Sequence, residues 1–133
     1  MVNRRVHEVL PDAEAFLAHC QRRNYKAKTN LVNAGDPSES FFFVLEGSLS
    51  VIIRSDDGHD MVVNYVNPGD FFGEIGLYKR VEKKREATIQ AKSDCEVAEI
   101  SYEKFYELRD EFPEMEIIER RLKLTDMDRV MNE

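Results

Sequence analysis

Cysteine is almost missing from this chain. Cys20 and Cys95 are the only two among 133 residues, and so few, so far apart, build no disulfide framework. Such usage fits a reducing, cytoplasmic compartment. Histidine is as sparse, with His7, His19 and His59 lacking partners at metal-ligand spacing. His19 and Cys20, adjacent on an expected helix, would point about 100° apart, which argues against a shared metal. No nucleophile–base constellation appears, so the sequence does not read as an enzyme. The clustered histidines of a metal-dependent cupin are missing as well. No run of about 18 apolar residues and no signal-peptide pattern occurs, so neither a membrane span nor export is indicated. Basic charge is also in deficit, with a formal net charge of −7. Duplex DNA is gripped by lysine and arginine that neutralise phosphates, so direct DNA binding by this chain alone is not expected.

What is present is an ordinary globular composition, 42% hydrophobic and 34% charged, enough for one domain with a core. After an arm of about ten residues, Pro11-Asp12 opens a short helix, with Asp12 as its cap and Phe16-Leu17 facing inward. From Tyr25 to Ser101 short apolar runs recur about every ten residues, separated by Gly, Pro, Asn or Asp. Phe41–Leu45, Leu49–Ile53, Met61–Val66, Ala87–Ala91 and Cys95–Ile100 are the clearest. Even spacing of short strands predicts a mainly β fold with flanking helices, an antiparallel β-sandwich or barrel of the jelly-roll kind. Asp56-Asp57-Gly58 marks a hairpin. Ser101 reads as the cap of a helix beginning at Tyr102. A last, long helix is expected from Pro113 to about Met131, with Ile117, Leu124 and Met131 at heptad spacing and Met127 between them. That stripe either pairs two copies in parallel or packs back on the barrel.

One stretch carries chemistry. Gly73-Glu74-Ile75-Gly76-Leu77 is followed, twelve residues after its first glycine, by Arg85-Glu86-Ala87-Thr88. A glycine turn can aim several backbone N–H groups at one point, and an arginine supplies a charged fork, a combination that suits a phosphate. Glu74, out of place in a pure anion pocket, can accept hydrogen bonds from sugar hydroxyls. The pattern therefore reads as phosphate plus sugar. The segment would break the sheet as one helical turn, roughly residues 74–78, followed by a charged loop to Glu86.

These residues, with Gly35-Asp36-Pro37, the run from Phe41 to Val51, Pro68-Gly69-Asp70-Phe71-Phe72 and Ala98-Glu99-Ile100-Ser101, resemble the cyclic nucleotide-binding domain of the catabolite activator protein family. The resemblance spans about Asp12 to Tyr102. It implies a jelly roll with its N-terminal helix over residues 1–112 and a dimerisation and lever helix within 113–133, about 28 Å long from Pro113 to Met131 at 1.5 Å per residue. It implies cyclic AMP as ligand and a homodimer as the assembly, without the winged-helix DNA-binding domain that follows in the family. The backbone of Gly73 and Glu74, with Ile75 and Gly76 in the same turn, and the side chain of Arg85 would hold the cyclic phosphate. Glu74 would take the ribose 2′-hydroxyl. Val51, Val63 and Val66 would form the apolar lining with Asn64 beside them, and Arg121 and Thr125 would reach the ligand from the last helix.

Two positions depart from that pattern. Glu86 stands where cyclic AMP-binding bacterial members have a small hydroxyl or alanine, and Asp126 where a serine is common. A carboxylate about 4 Å from a phosphate, at an effective dielectric near 20, would cost up to roughly 4 kcal/mol. A branch of the family with a glutamate at the first position responds to cyclic di-GMP. That ligand, or a dimerisation module with no ligand, is therefore the alternative to cyclic AMP.

Overall fold

The computed structural model describes residues 13–73 and 84–111. Helix α1 (Ala13–Leu17) is followed by strands β1 (Gln21–Tyr25), β2 (Asn30–Val32), β3 (Ser40–Glu46), β4 (Leu49–Arg54), β5 (Asp60–Val66), β6 (Phe71–Phe72), β7 (Thr88–Ala91) and β8 (Cys95–Ser101). Helix α2 (Tyr102–Glu111) comes last. The strands form two antiparallel four-stranded sheets, ordered β1-β8-β3-β6 and β2-β7-β4-β5.

The run Phe41-Phe42-Phe43-Val44-Leu45 is continuously apolar because β3 is covered on both faces. Phe42 and Val44 turn one way, into a core shared with Val97 and Cys95 of β8, Leu49 of β4, Val66 of β5, and Ile89 and Ala91 of β7. Phe41, Phe43 and Leu45 turn the other way. They pack under the helices, with Phe16 and Leu17 of α1 and Tyr102, Phe105 and Leu108 of α2. Phe41 meets Phe105 edge-on, with ring centroids 5.4 Å apart and planes at 80°, a favoured aromatic geometry. All of these phenylalanines are at most 3% exposed. Replacing one by alanine would cost about 3–5 kcal/mol.

The hairpin at Asp56-Asp57-Gly58 joins β4 to β5. Ser55 N–H bonds the His59 carbonyl at 2.8 Å, and Gly58 turns at φ +86°. Ser101 caps α2, its hydroxyl accepting from the Lys104 N–H at 3.0 Å, which satisfies one of the free donors of the first turn.

The first helix is shorter than its sequence implies. It ends at Leu17, so His19 and Cys20 lie past it in a turn, and the Cys20 thiol donates back to the Phe16 carbonyl at 3.6 Å. The sheet also starts earlier than Tyr25, at Gln21. The Asp12 cap, the turn expected at 74–78 and the helix expected at 113–131 lie outside the described residues. Among those described, no helix is long and apolar enough to cross a membrane.

Candidate anion-binding site

Arg85 is held in place by a turn nearly fifty residues upstream. The Gly35 N–H bonds the Arg85 carbonyl and the Arg85 N–H bonds the Asp36 carbonyl, both at 2.8 Å, with Pro37 bridged to Lys84 beside them. The turn is fixed in its own right by the Asn33 N–H on Asp36 Oδ2 at 3.0 Å. Gly35-Asp36-Pro37 thus serves as the anchor of the arginine's backbone.

Gly73 arrives from another direction. The turn Pro68-Gly69-Asp70 is stitched to β3 by Gly69 N–H on the Val44 carbonyl and Val44 N–H on the Asp70 carbonyl, each at 3.0 Å. This delivers β6, where Phe72 stacks on Phe42 at 4.4 Å with planes 5° apart, and then Gly73. At φ +86° Gly73 sits in the left-handed region, where a side chain is strained. A Cβ there would also lie 2.5 Å from Arg85 Nη1 and 3.0 Å from the Ser40 carbonyl oxygen. The missing side chain lets a guanidinium lie against the backbone.

The guanidinium itself is only partly satisfied. Nη2 donates to the Ser40 carbonyl at 2.9 Å and reaches Ser40 Oγ at 3.4 Å. The charged carbon lies 5.6 Å from the Phe42 ring centroid, within cation–π range. Nε is buried and finds no hydrogen-bond acceptor among the described residues. Burial pushes the Arg85 pKa below its ordinary value, opposed by the Tyr102 phenol and then by the carboxylates of Glu99 and Asp36. Arginine stays protonated through any such shift. A buried cationic donor lacking an acceptor is costly, and an anion's oxygen is the kind of acceptor it lacks.

Of the residues singled out from sequence, Gly73 and Arg85 meet. Val51 and Asn64 face each other across the β4–β5 ladder. Val51 is half-buried beside the inter-sheet core. Asn64 is exposed, its side-chain oxygen taken by the Tyr65 N–H at 2.8 Å. Val63 lies at a register irregularity, because Val51 pairs with Asn64 and Ile52 with Val62, and it is 47% exposed. Val66 belongs to the inter-sheet core. Glu86 is exposed. Glu74, Ile75, Gly76, Arg121, Thr125 and Asp126 lie outside the described residues.

Sequence reasoning missed Ser40, Glu99 and Tyr102. The Tyr102 hydroxyl donates to the Gly73 carbonyl and lies 2.9 Å from the Ser38 hydroxyl. Ser40 donates to Glu99 Oε2 at 2.7 Å, and Arg23 Nε donates to Glu99 Oε1 at 2.8 Å. Strand pairing brings these groups together, and no local spacing announces them.

A family model described as the cyclic nucleotide-binding domain matches residues 22–112. The chain is 50% identical over 101 residues to the cAMP-activated global transcriptional regulator Vfr of Pseudomonas aeruginosa, covering 74% of this chain and 47% of that protein. It is 44% identical over 98 residues to the regulator CRP of Pasteurella multocida, covering 74% and 46%. Among solved structures it superposes on the c-di-GMP responsive global regulator CLP of Xanthomonas campestris with a TM-score of 0.79 at 34% identity, covering 89% of this chain and 57% of that one. The chain spans about half the length of the curated relatives it matches. These relatives are transcriptional regulators, not enzymes.

Proposed function

Because the chain belongs to the cyclic nucleotide-binding domain family, we propose that it senses a cyclic nucleotide, cyclic AMP in the first instance, on behalf of a transcription regulator of the catabolite activator type. The observation that carries this reading is the buried, acceptor-less Nε of Arg85 on a guanidinium laid against Gly73. An anion that pairs with it removes a penalty already present in the fold. The 50% identity to a cAMP-activated regulator supports cyclic AMP.

In this reading Gly73 and Glu74, with Ile75 and Gly76 beside them, give backbone donors to the phosphate. Arg85 gives its charge, and Glu74 takes the sugar hydroxyl. Val51, Val63 and Asn64 border the base, and Arg121 and Thr125 approach it from the helix proposed for 113–133. That helix pairs two copies. Ligand that binds one helix arrangement better than the other shifts the population between them, and a neighbouring domain reads the shift.

A second reading is favoured by one observation, the likeness to a c-di-GMP responsive regulator at 34% identity. Glu86 beside the phosphate arginine supports it. Calorimetry with cyclic AMP, cyclic GMP and cyclic di-GMP separates the two. Arg85→Ala removes a charge-assisted pair worth about 1.5–3 kcal/mol, or more than tenfold in affinity. Unchanged affinity in that variant would overturn the assignment of the site.

A further inference from the structure

A polar strip crosses the first sheet and ends on Arg85. Along it, Arg23 Nη2 donates to Gln21 Oε1 at 2.8 Å and Arg23 Nε to Glu99 Oε1 at 2.8 Å. Ser40 Oγ donates to Glu99 Oε2 at 2.7 Å, and Arg85 Nη2 closes on Ser40 Oγ at 3.4 Å and on the Ser40 carbonyl at 2.9 Å. The register explains why these groups line up. Gln21 pairs with Glu99 across β1–β8, and Glu99 pairs with Phe42 across β8–β3. Directly opposed residues share a face, and Phe42 belongs to the inter-sheet core. Glu99 and Ser40 therefore continue that inner face beyond its apolar part, at the end where Gly73 and Arg85 meet.

The polarity of the strip is fixed by Glu99. An ionised carboxylate only accepts, so the Ser40 hydroxyl must spend its proton on Glu99 and turn a lone pair toward Arg85. Arg23 holds the second carboxylate oxygen and keeps Glu99 from swinging to Arg85 itself. A direct Glu99–Arg85 pair would occupy the fork and neutralise it toward an incoming anion. With Ser40 interposed, Nη2 is tethered to β3, the Tyr102 phenol is a further hydrogen-bond partner of the guanidinium, and the buried Nε is left without an acceptor among the described residues.

We infer that Ser40 and Glu99, steadied by Arg23, are positioning residues that pre-set the Arg85 guanidinium for a phosphate group. The inference rests on the anion-site reading above. It assigns to Glu99 a role opposite to its charge. A carboxylate near a phosphate site weakens anion binding by electrostatics alone, whereas a carboxylate that orients the arginine strengthens it.

The test is a set of cyclic AMP titrations by calorimetry on Ser40→Ala, Ser40→Thr, Glu99→Gln and Arg85→Ala, with Ser40→Ala also made in the Arg85→Ala background. Ser40→Ala and Glu99→Gln should each weaken binding by about three- to tenfold, the scale of one hydrogen bond. Ser40→Thr, which keeps the hydroxyl, should stay within about twofold of wild type. In the Arg85→Ala background the Ser40→Ala effect should vanish, as coupling through the arginine requires. Tighter binding by Glu99→Gln, or an undiminished Ser40→Ala effect without Arg85, overturns the inference. If Arg85→Ala itself leaves affinity unchanged, the anion-site reading falls first. A second measurement needs no nucleotide. The Nε–H signal of Arg85 in 15N-resolved NMR should be slow to exchange with water in wild type and fast in Ser40→Ala. An identical exchange rate in the two proteins sinks the positioning role even if cyclic AMP does not bind.

Discussion

Arg85 occupies the space a side chain on Gly73 would need, its Nη1 lying 2.5 Å from an ideal Cβ position there. The two residues are twelve apart in sequence, and each explains the other. A glycine is required so that the guanidinium can approach the backbone, and the guanidinium gives that backbone a reason to stay bare.

Gly73→Ala tests this directly. An alanine at φ +86° costs about 1–2 kcal/mol in backbone strain, and its methyl displaces the Arg85 fork. The expected outcome is a modest loss of stability in urea together with at least a tenfold loss of nucleotide affinity. A variant that loses stability but binds as before would show that Arg85 does not act from this position.

Glu86→Ser addresses the ligand. Glu86 is exposed, so water screens its carboxylate and the penalty against a phosphate falls well below the roughly 4 kcal/mol of a shielded pair. Cyclic AMP affinity is expected to rise several-fold, with unfolding unchanged. No change in calorimetry would show that the carboxylate points clear of the phosphate. A loss of cyclic di-GMP binding in the same variant would favour the second ligand.

How much of this was legible in the sequence follows from where apolar residues lie. β3, β4, β5 and β8 announce themselves because each carries a run of apolar side chains between turn residues. β1, Gln-Arg-Arg-Asn-Tyr, does not. It is an edge strand with its first four residues exposed, and no hydrophobic period marks it. β6 is two residues long and disappears into the glycine motif. At the site, Gly73 and Arg85 are readable because their chemistry needs those residue types at short range. Ser40 and Glu99 are 59 positions apart, and only the pairing of β3 with β8 makes them neighbours.

Tyr102→Phe probes the link between the glycine turn and α2. Tyr102 is 5% exposed, and its hydroxyl joins the Ser38 hydroxyl to the Gly73 carbonyl. Removing that oxygen leaves buried polar groups short of a partner, at about 1–3 kcal/mol. The expected result is a drop of that size in urea unfolding, plus weaker nucleotide binding as the Gly73 turn loosens. A stability loss with unchanged binding would confine the tyrosine to the core.

Alkaline pH should destabilise the fold through its thiols, Cys95 buried and Cys20 half-buried. Burial pushes the Cys20 pKa up to about 12, with Arg22 opposing, and burial also raises Cys95 and Tyr25. Each group stays protonated in the folded chain after the unfolded chain has begun to lose its proton. The stabilisation is therefore fully present below the ordinary thiol value of 9.0 and is lost as pH rises from there toward about 12. The slope is at most about 1.4 kcal/mol per pH unit for each group. Urea midpoints should hold steady to about pH 8 and fall between roughly pH 9 and 11. Cys20→Ser keeps a donor for the Phe16 carbonyl but does not titrate in this range, so it should flatten part of that fall. A wild-type slope in Cys20→Ser would mean that the thiol reaches water in the folded state, and that the contact between α1 and the first sheet is looser than its buried phenylalanines imply.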